Sequence, residues 1–130
     1  MIEFHLDARS GVPTYLQLVQ QVRQAVRLGI LGPGDQLPTV KEVVSTLAIN
    51  PNTVLKAYRE LDRERLVEGR RGVGTFVSGE LPPLPPDGVK DLRTSLQRWI
   101  GRARAAGLDE ESMAALFDDT VRPPAASRVA

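Results

Sequence analysis

Residues 37–77 read LPTVKEVVSTLAINPNTVLKAYRELDRERLVEGRRGVGTFV, and they hold the signals that decide the fold. Thr39 and Glu42 have the spacing of a capping box, in which each side chain bonds to the backbone N–H of the other, so a helix begins directly after Thr39. A second helix begins after Asn50, whose side chain can cap it, with Pro51 at the position where a missing N–H costs nothing. Helices joined by so short a link must cross sharply.

The second helix of this pair has one apolar face and one polar, basic face. Its apolar residues recur at positions i, i+3, i+4 and i+7, a spacing that predicts contact with a core. They are Val54, Ala57, Tyr58 and Leu61. The rest of the helix carries Asn52, Thr53, Lys56, Arg59 and Arg63. A polar and basic face on the second helix of such a pair is suited to a DNA groove.

A glycine-rich turn with two arginines follows the helix pair. Residues 68–74 read EGRRGVG and stand between short apolar runs. We therefore predict a hairpin of two strands with Arg70 and Arg71 at its tip, where they can enter the minor groove.

Two elements are predicted ahead of the helix pair. Pro13 can open a helix that runs to Gly29, and residues 2–6 alternate apolar with polar side chains, which predicts a short strand. Three helices and a terminal hairpin form a winged helix-turn-helix, which we predict over residues 1–79. The predicted fold class is mainly α with a small β-hairpin wing.

The remainder of the chain predicts a two-helix appendage. Residues 80–88 are rich in proline and predict a stiff linker, residues 89–122 predict the two helices, and residues 123–130 predict a flexible tail. Apolar residues of the first helix alternate spacings of three and four, as in a heptad repeat. They are Val89, Leu92, Leu96, Trp99, Ala103 and Ala106, and the second helix carries Met113, Leu116 and Phe117.

Two short helices bury too little apolar surface to be stable alone, so this heptad face needs a partner. We predict that it pairs with a second copy of the chain, forming a homodimer. The alternative is that it packs back onto its own winged domain. The predicted dimer contacts are Val89, Leu92, Leu96, Trp99, Ala103, Leu116 and Phe117.

Composition restricts the function classes. The 130 residues have a net charge of +1 and contain no cysteine, which excludes disulfides and cysteine-based zinc sites. His5 is the only histidine, and neither a catalytic nor a metal site is predicted. No cofactor is predicted. Neither a signal peptide nor a membrane-spanning stretch is recognisable, so the expected location is the cytoplasm.

Four motifs together resemble the GntR family of bacterial transcription regulators. They are VPTYLQ at 12–17, GPGDQLPT at 32–39, NPNTV at 50–54 with Ala57-Tyr58, and RGVGTFV at 71–77. The short segment after the linker is similar to the YtrA-type subgroup, whose members end with about two dimerising helices. The resemblance implies a homodimeric repressor that binds double-stranded operator DNA, often one that controls transporter genes.

The resemblance also implies which residues contact DNA. Lys41 matches a basic contact on the first helix of the pair, Asn50, Asn52 and Thr53 match the start of the recognition helix, and Arg71 with Gly72 matches the wing tip. The full predicted DNA-binding set is Lys41, Asn50, Asn52, Thr53, Lys56, Arg59, Arg70, Arg71 and Gly72.

Two positions depart from the family pattern. Pro51 stands where several relatives have an arginine that reads guanine, and Leu55 replaces another commonly basic residue. Base readout is therefore expected to rest on other side chains, such as Asn52 and Lys56.

Two other functions stay open at this stage. The chain could be a fragment of an enzyme, because the same winged module also occurs fused to aminotransferase-like domains. It could also be a winged module that binds protein and has lost DNA affinity. The operator and any small-molecule effector are not identified by the sequence, and an effector site is expected between subunits.

Overall fold

The computed structural model describes residues 2–79 and 86–123, which form two compact units that divide after Pro86. The helices and strands are α1 (Thr14–Arg27), α2 (Val40–Leu47), α3 (Pro51–Arg63), β1 (Val67–Arg70), β2 (Gly74–Val77), α4 (Pro86–Ala105) and α5 (Glu110–Val121). The predicted fold class is confirmed, because α1 to α3 precede a two-stranded antiparallel hairpin. We call residues 2–79 the winged unit and residues 86–123 the appendage.

The core of the winged unit lies between α1, α2 and α3. Leu18 and Val22 of α1 and Val54 and Leu61 of α3 have no exposed surface. Each such side chain stabilises the fold by about 1.5 to 3 kcal/mol when it leaves water. The apolar stripe predicted for α3 is therefore its core face.

The helix starts predicted from the sequence are confirmed. Thr39 Oγ1 accepts from the Glu42 N–H at 3.1 Å, and Glu42 Oε1 accepts from the Thr39 N–H at 3.2 Å. Asn50 Oδ1 accepts from the Asn52 N–H at 2.8 Å and caps α3. Ala48 ends α2 in the left-handed conformation, with φ of 53°, which turns the chain within two residues of the next cap.

The hairpin is fixed to the segment that leads into α2. Strand β1 pairs with β2 so that Val67 lies opposite Val77. The Leu37 N–H donates to the Thr75 carbonyl at 2.8 Å, and the Val77 N–H donates to the Asp35 carbonyl at 2.8 Å. Strand β2 is therefore hydrogen-bonded along both edges, to β1 on one side and to residues 35–37 on the other.

The strand predicted over residues 2–6 was wrong, although its alternation of buried and exposed side chains is present and Phe4 is buried. Side-chain amides take the place of a partner strand. Gln21 accepts from the His5 N–H at 3.1 Å and donates to the His5 carbonyl at 2.6 Å. The Gln17 side chain likewise accepts from the Asp7 N–H at 2.8 Å and donates to the Asp7 carbonyl at 3.0 Å. Periodicity predicts the exposure of side chains but not the source of the backbone's hydrogen bonds.

An ion pair joins the first helix to the end of the third. The Arg23 guanidinium donates two hydrogen bonds to the Glu64 carboxylate, one of them at 2.7 Å from Nε. The hydrogen bond from Arg23 holds the pKa of Glu64 below its ordinary value. Because both side chains remain partly exposed, the pair stabilises the unit only modestly.

The appendage consists of α4 and α5, which are joined by a turn at Gly107. Helix α4 begins at Pro86, so residues 86–88 of the predicted linker are helical, while residues 80–85 and 124–130 lie outside the described part of the chain. Gly107 has φ of +96°, and Asp109 caps α5 by accepting from the Ser112 N–H at 2.8 Å. No helix within residues 2–79 or 86–123 is long and apolar enough to cross a membrane.

Candidate nucleic-acid interface

Two asparagine side chains lie at the amino-terminal end of α3, and only one of them takes part in capping the helix. The Asn50 carbonyl oxygen is occupied by the cap, which leaves its amide N–H groups to donate outward. Asn52 is exposed, and its side chain forms no hydrogen bond with any other described residue. Thr53 is half-buried behind it. Asn52 is therefore the exposed side chain at this helix end whose donor and acceptor groups are both available.

A shallow depression of about 390 Å³ lies between the first turns of α1 and α3. Its lining residues are Thr14, Tyr15, Asn50, Asn52, Thr53 and Lys56. The Lys56 Nζ lies 4.0 Å from the centre of the Tyr15 ring, which holds the ammonium at the depression. Helix α1 has no side-chain cap. Two helix starts with a lysine between them suit an anionic group such as a DNA phosphate.

Tyr15 and Thr14 were missed as interface residues by sequence reasoning. Tyr15 is partly buried and packs against the core of the winged unit. Only the crossing of α1 and α3 brings its ring under Lys56, and no local sequence signal reports that contact.

The outer face of α3 continues with exposed residues beyond Lys56. Arg59 is exposed and pairs with no acidic group in the described ranges. Arg63 pairs instead with Glu60 at 2.5 Å, and this hydrogen bond raises the pKa of Arg63. Of the two arginines on this face, Arg59 is the one available to a ligand.

The two arginines at the wing tip have different surroundings, although the sequence predicts the same DNA contact for both. The Arg70 guanidinium lies 4.5 Å from the centre of the Phe76 ring, and its Nε is 3.2 Å from Glu68 Oε1. Arg71 has neither contact and forms no ion pair with another described residue. Gly72, with φ of +75°, forms the turn. Arg71 is therefore the free cation of the tip.

The structure thus groups the predicted DNA-binding residues into two clusters. The first is the depression lined by Asn50, Asn52, Thr53 and Lys56. The second is a concave surface of about 560 Å³, where Arg70, Arg71 and Gly72 face Thr39 at the start of α2. Lys41 and Arg59 are exposed but line neither surface.

The appendage exposes apolar side chains along a groove of about 240 Å³. The groove is lined by Leu96, Trp99, Leu116, Phe117 and Thr120. Of the other predicted dimer contacts, Leu92 is 70% exposed, Val89 is half-buried and Ala103 is already buried in the single chain. Val121, which the prediction omitted, is 56% exposed.

Comparisons with known proteins agree with this architecture. The family described as "Bacterial regulatory proteins, gntR family" matches residues 14–77. The HTH-type transcriptional repressor YtrA of Bacillus subtilis is 38% identical over 109 residues, which cover 83% of this chain and 84% of the relative.

Solved structures show the same likeness. The structure of YtrA from Sulfolobus acidocaldarius, a GntR-family transcription factor, matches with a TM-score of 0.54 and 27% identity, over 91% of this chain and 96% of that one. The structure of AraR(DBD) in complex with operator ORR3 matches with a TM-score of 0.50 and 25% identity, over 59% of this chain and 93% of that one.

Proposed function

Because the chain belongs to the GntR family of bacterial regulatory proteins and is a DNA-binding transcription regulator, we propose that it is a repressor that acts as a homodimer. Each copy inserts the outer face of α3 into the major groove of an operator half-site. The observation that carries this proposal is the exposed, unpaired Asn52 at the capped start of α3. As a regulator of bacterial genes, the protein acts in the cytoplasm.

Specificity in this proposal comes from the start of α3. Asn52 can donate and accept together, which is the pattern that an adenine edge offers in the major groove. The amide of Asn50 and the hydroxyl of Thr53 lie beside it and assist. Lys56, which the sequence placed with Asn52 in base readout, is assigned here to a phosphate contact, because its ammonium lies on the Tyr15 ring at the depression between α1 and α3. Phosphate contacts at the first turns of these two helices fix the position of α3 without reading sequence.

The wing contributes charge. Arg71 enters the minor groove beside the half-site, where a narrow groove attracts arginine. Arg70 contributes less, because Glu68 and Phe76 already hold its guanidinium. Lys41 and Arg59 add phosphate contacts from α2 and α3.

The test begins with selection of bound duplexes from random-sequence DNA by the full chain. Asn52→Ala should then lose about 1 to 3 kcal/mol on the selected operator and almost nothing on random DNA. Arg71→Ala should weaken binding to both and make the plot of log K against log salt shallower by about one unit. Arg70→Ala is the matched control for the wing and should have a smaller effect. Equal losses by Asn52→Ala on both DNAs would contradict base readout.

The proposed homodimer rests on the exposed apolar side chains of the appendage. Leu92, Leu96, Leu116 and Phe117 are between 44% and 70% exposed in the single chain. Water contact with so large an apolar face is unfavourable, and a second copy can cover it symmetrically. Two winged units related by a two-fold axis would read an inverted repeat with half-sites about one DNA turn apart.

The dimer is tested by analytical ultracentrifugation of Leu96→Asp with Trp99→Asp. This double variant should sediment as a monomer with unchanged helix content and bind the operator much more weakly, because it loses the gain in effective concentration. The control is Thr94→Asp with Gln97→Asp, which adds the same charge at exposed positions of α4 and should stay dimeric. A wild-type monomer at micromolar concentration would refute the dimer.

A further inference from the structure

Leu55 is an apolar residue that the core of the winged unit does not use. The core face of α3 is complete without it, since Val54, Ala57, Tyr58 and Leu61 are all at least nine-tenths buried. Leu55 is 40% exposed. It shares the outward-facing side of α3 with Asn52, Lys56 and Arg59, which are also exposed.

An exposed leucine is ordinary on a protein surface, so its position is what matters. Leu55 lies three residues after Asn52 and four before Arg59, which makes it a surface neighbour of both on the helix. A face that enters a DNA groove loses its water, and an apolar side chain there must find an apolar group on the bases. In the major groove that group is the C5-methyl of thymine.

We propose that Leu55 determines specificity by packing against thymine methyl groups in the half-site. The inference rests on the proposed function, in which α3 lies in the major groove. It also predicts where the thymine lies. Three residues advance about 4.5 Å along a helix, and successive base pairs are about 3.4 Å apart. The thymine should therefore be one or two base pairs from the pair read by Asn52.

The experiment uses the full chain and the duplex selected from random-sequence DNA. Each thymine of the half-site is replaced in turn by deoxyuridine, which removes only the methyl group and keeps every hydrogen-bonding atom. At one or two positions the wild-type protein should lose about fourfold in affinity per methyl group removed. Leu55→Ala should bind the unmodified operator more weakly and should no longer distinguish thymine from deoxyuridine at those same positions.

Two controls separate this contact from general effects. Ile30→Ala removes another exposed aliphatic side chain, 62% exposed and away from α3, and should keep the full dependence on thymine methyl groups. Leu55→Ala should fold, because the site is partly exposed and alanine favours helix, and its unfolding by urea checks this. The deoxyuridine measurement on the wild-type protein does not depend on any variant.

The outcomes distinguish this inference from the proposed function. If the chain selects an operator but deoxyuridine has no effect at any position, or if Leu55→Ala keeps the same sensitivity as the wild type, the thymine contact is refuted while operator binding stands. If the chain binds every duplex equally, the proposed function and this inference fail together. Loss of methyl sensitivity in Leu55→Ala alone supports the contact.

Discussion

Tyr58→Phe should lower the free energy of unfolding of the winged unit by about 1 to 2 kcal/mol. The Tyr58 hydroxyl donates to the Pro38 carbonyl at 2.6 Å, and the side chain is only 7% exposed. Phenylalanine fills the same space but leaves the Pro38 carbonyl without its donor, and an unsatisfied buried acceptor costs about 1 to 3 kcal/mol. Because Pro38 directly precedes the cap of α2, this bond also fixes how α2 and α3 cross.

The assay is urea unfolding followed by far-ultraviolet circular dichroism. Fluorescence is unsuitable, since Trp99, the only tryptophan, lies in the appendage. The chain offers one matched control, because it has only two tyrosines. The Tyr15 hydroxyl forms no hydrogen bond with another described residue, so Tyr15→Phe should stay within about 0.5 kcal/mol of the wild type.

The burial of the Tyr58 hydroxyl also makes the stability of the winged unit depend on pH in the alkaline range. Burial, with a smaller effect from Glu42, raises the pKa of Tyr58 above its ordinary value of 10.0. The folded state therefore holds this proton more tightly than the unfolded state, and the stability that results is present below pH 10 and is lost as the pH rises further. Above pH 10 the free energy of unfolding of the wild type should therefore approach that of Tyr58→Phe. Equal stability of Tyr58→Phe and Tyr15→Phe at neutral pH would refute the reasoning.

Two further variants test contacts that support the site. Glu64→Gln should cost about 0.5 to 1 kcal/mol at neutral pH, because it breaks the partly exposed pair with Arg23. Since the pKa of Glu64 is lowered from 4.5, this difference should vanish as the pH falls through the folded-state value, and a difference that persists in acid would contradict the pairing. Gly74→Ala should lower the free energy of unfolding, measured by thermal unfolding, by about 1 to 3 kcal/mol. The φ of this position is +142°, a backbone conformation that residues other than glycine rarely adopt. Its Cβ would also lie 2.5 Å from Gln36 Nε2, so a double variant with Gln36→Ala should recover only the part due to that contact.

The sequence by itself determined the elements whose signals are local. The capping box of Thr39 and Glu42 and the cap by Asn50 act between residues two or three positions apart. Side chains at that spacing can satisfy the first N–H groups of a helix without a contact from elsewhere in the chain. The free face of α3 is equally local, since it is the complement of a core stripe with helical period.

Only the tertiary structure decided which polar side chains remain free. Lys56 rests on Tyr15 from another helix, and Arg70 is held by Phe76 from the opposite strand, while Arg71 next to it has no such partner. The extended start of the chain depends likewise on Gln21 of α1 rather than on a neighbouring strand. Each of these contacts joins two different segments of the fold, so it depends on how the helices and strands pack and leaves no periodic pattern in the sequence.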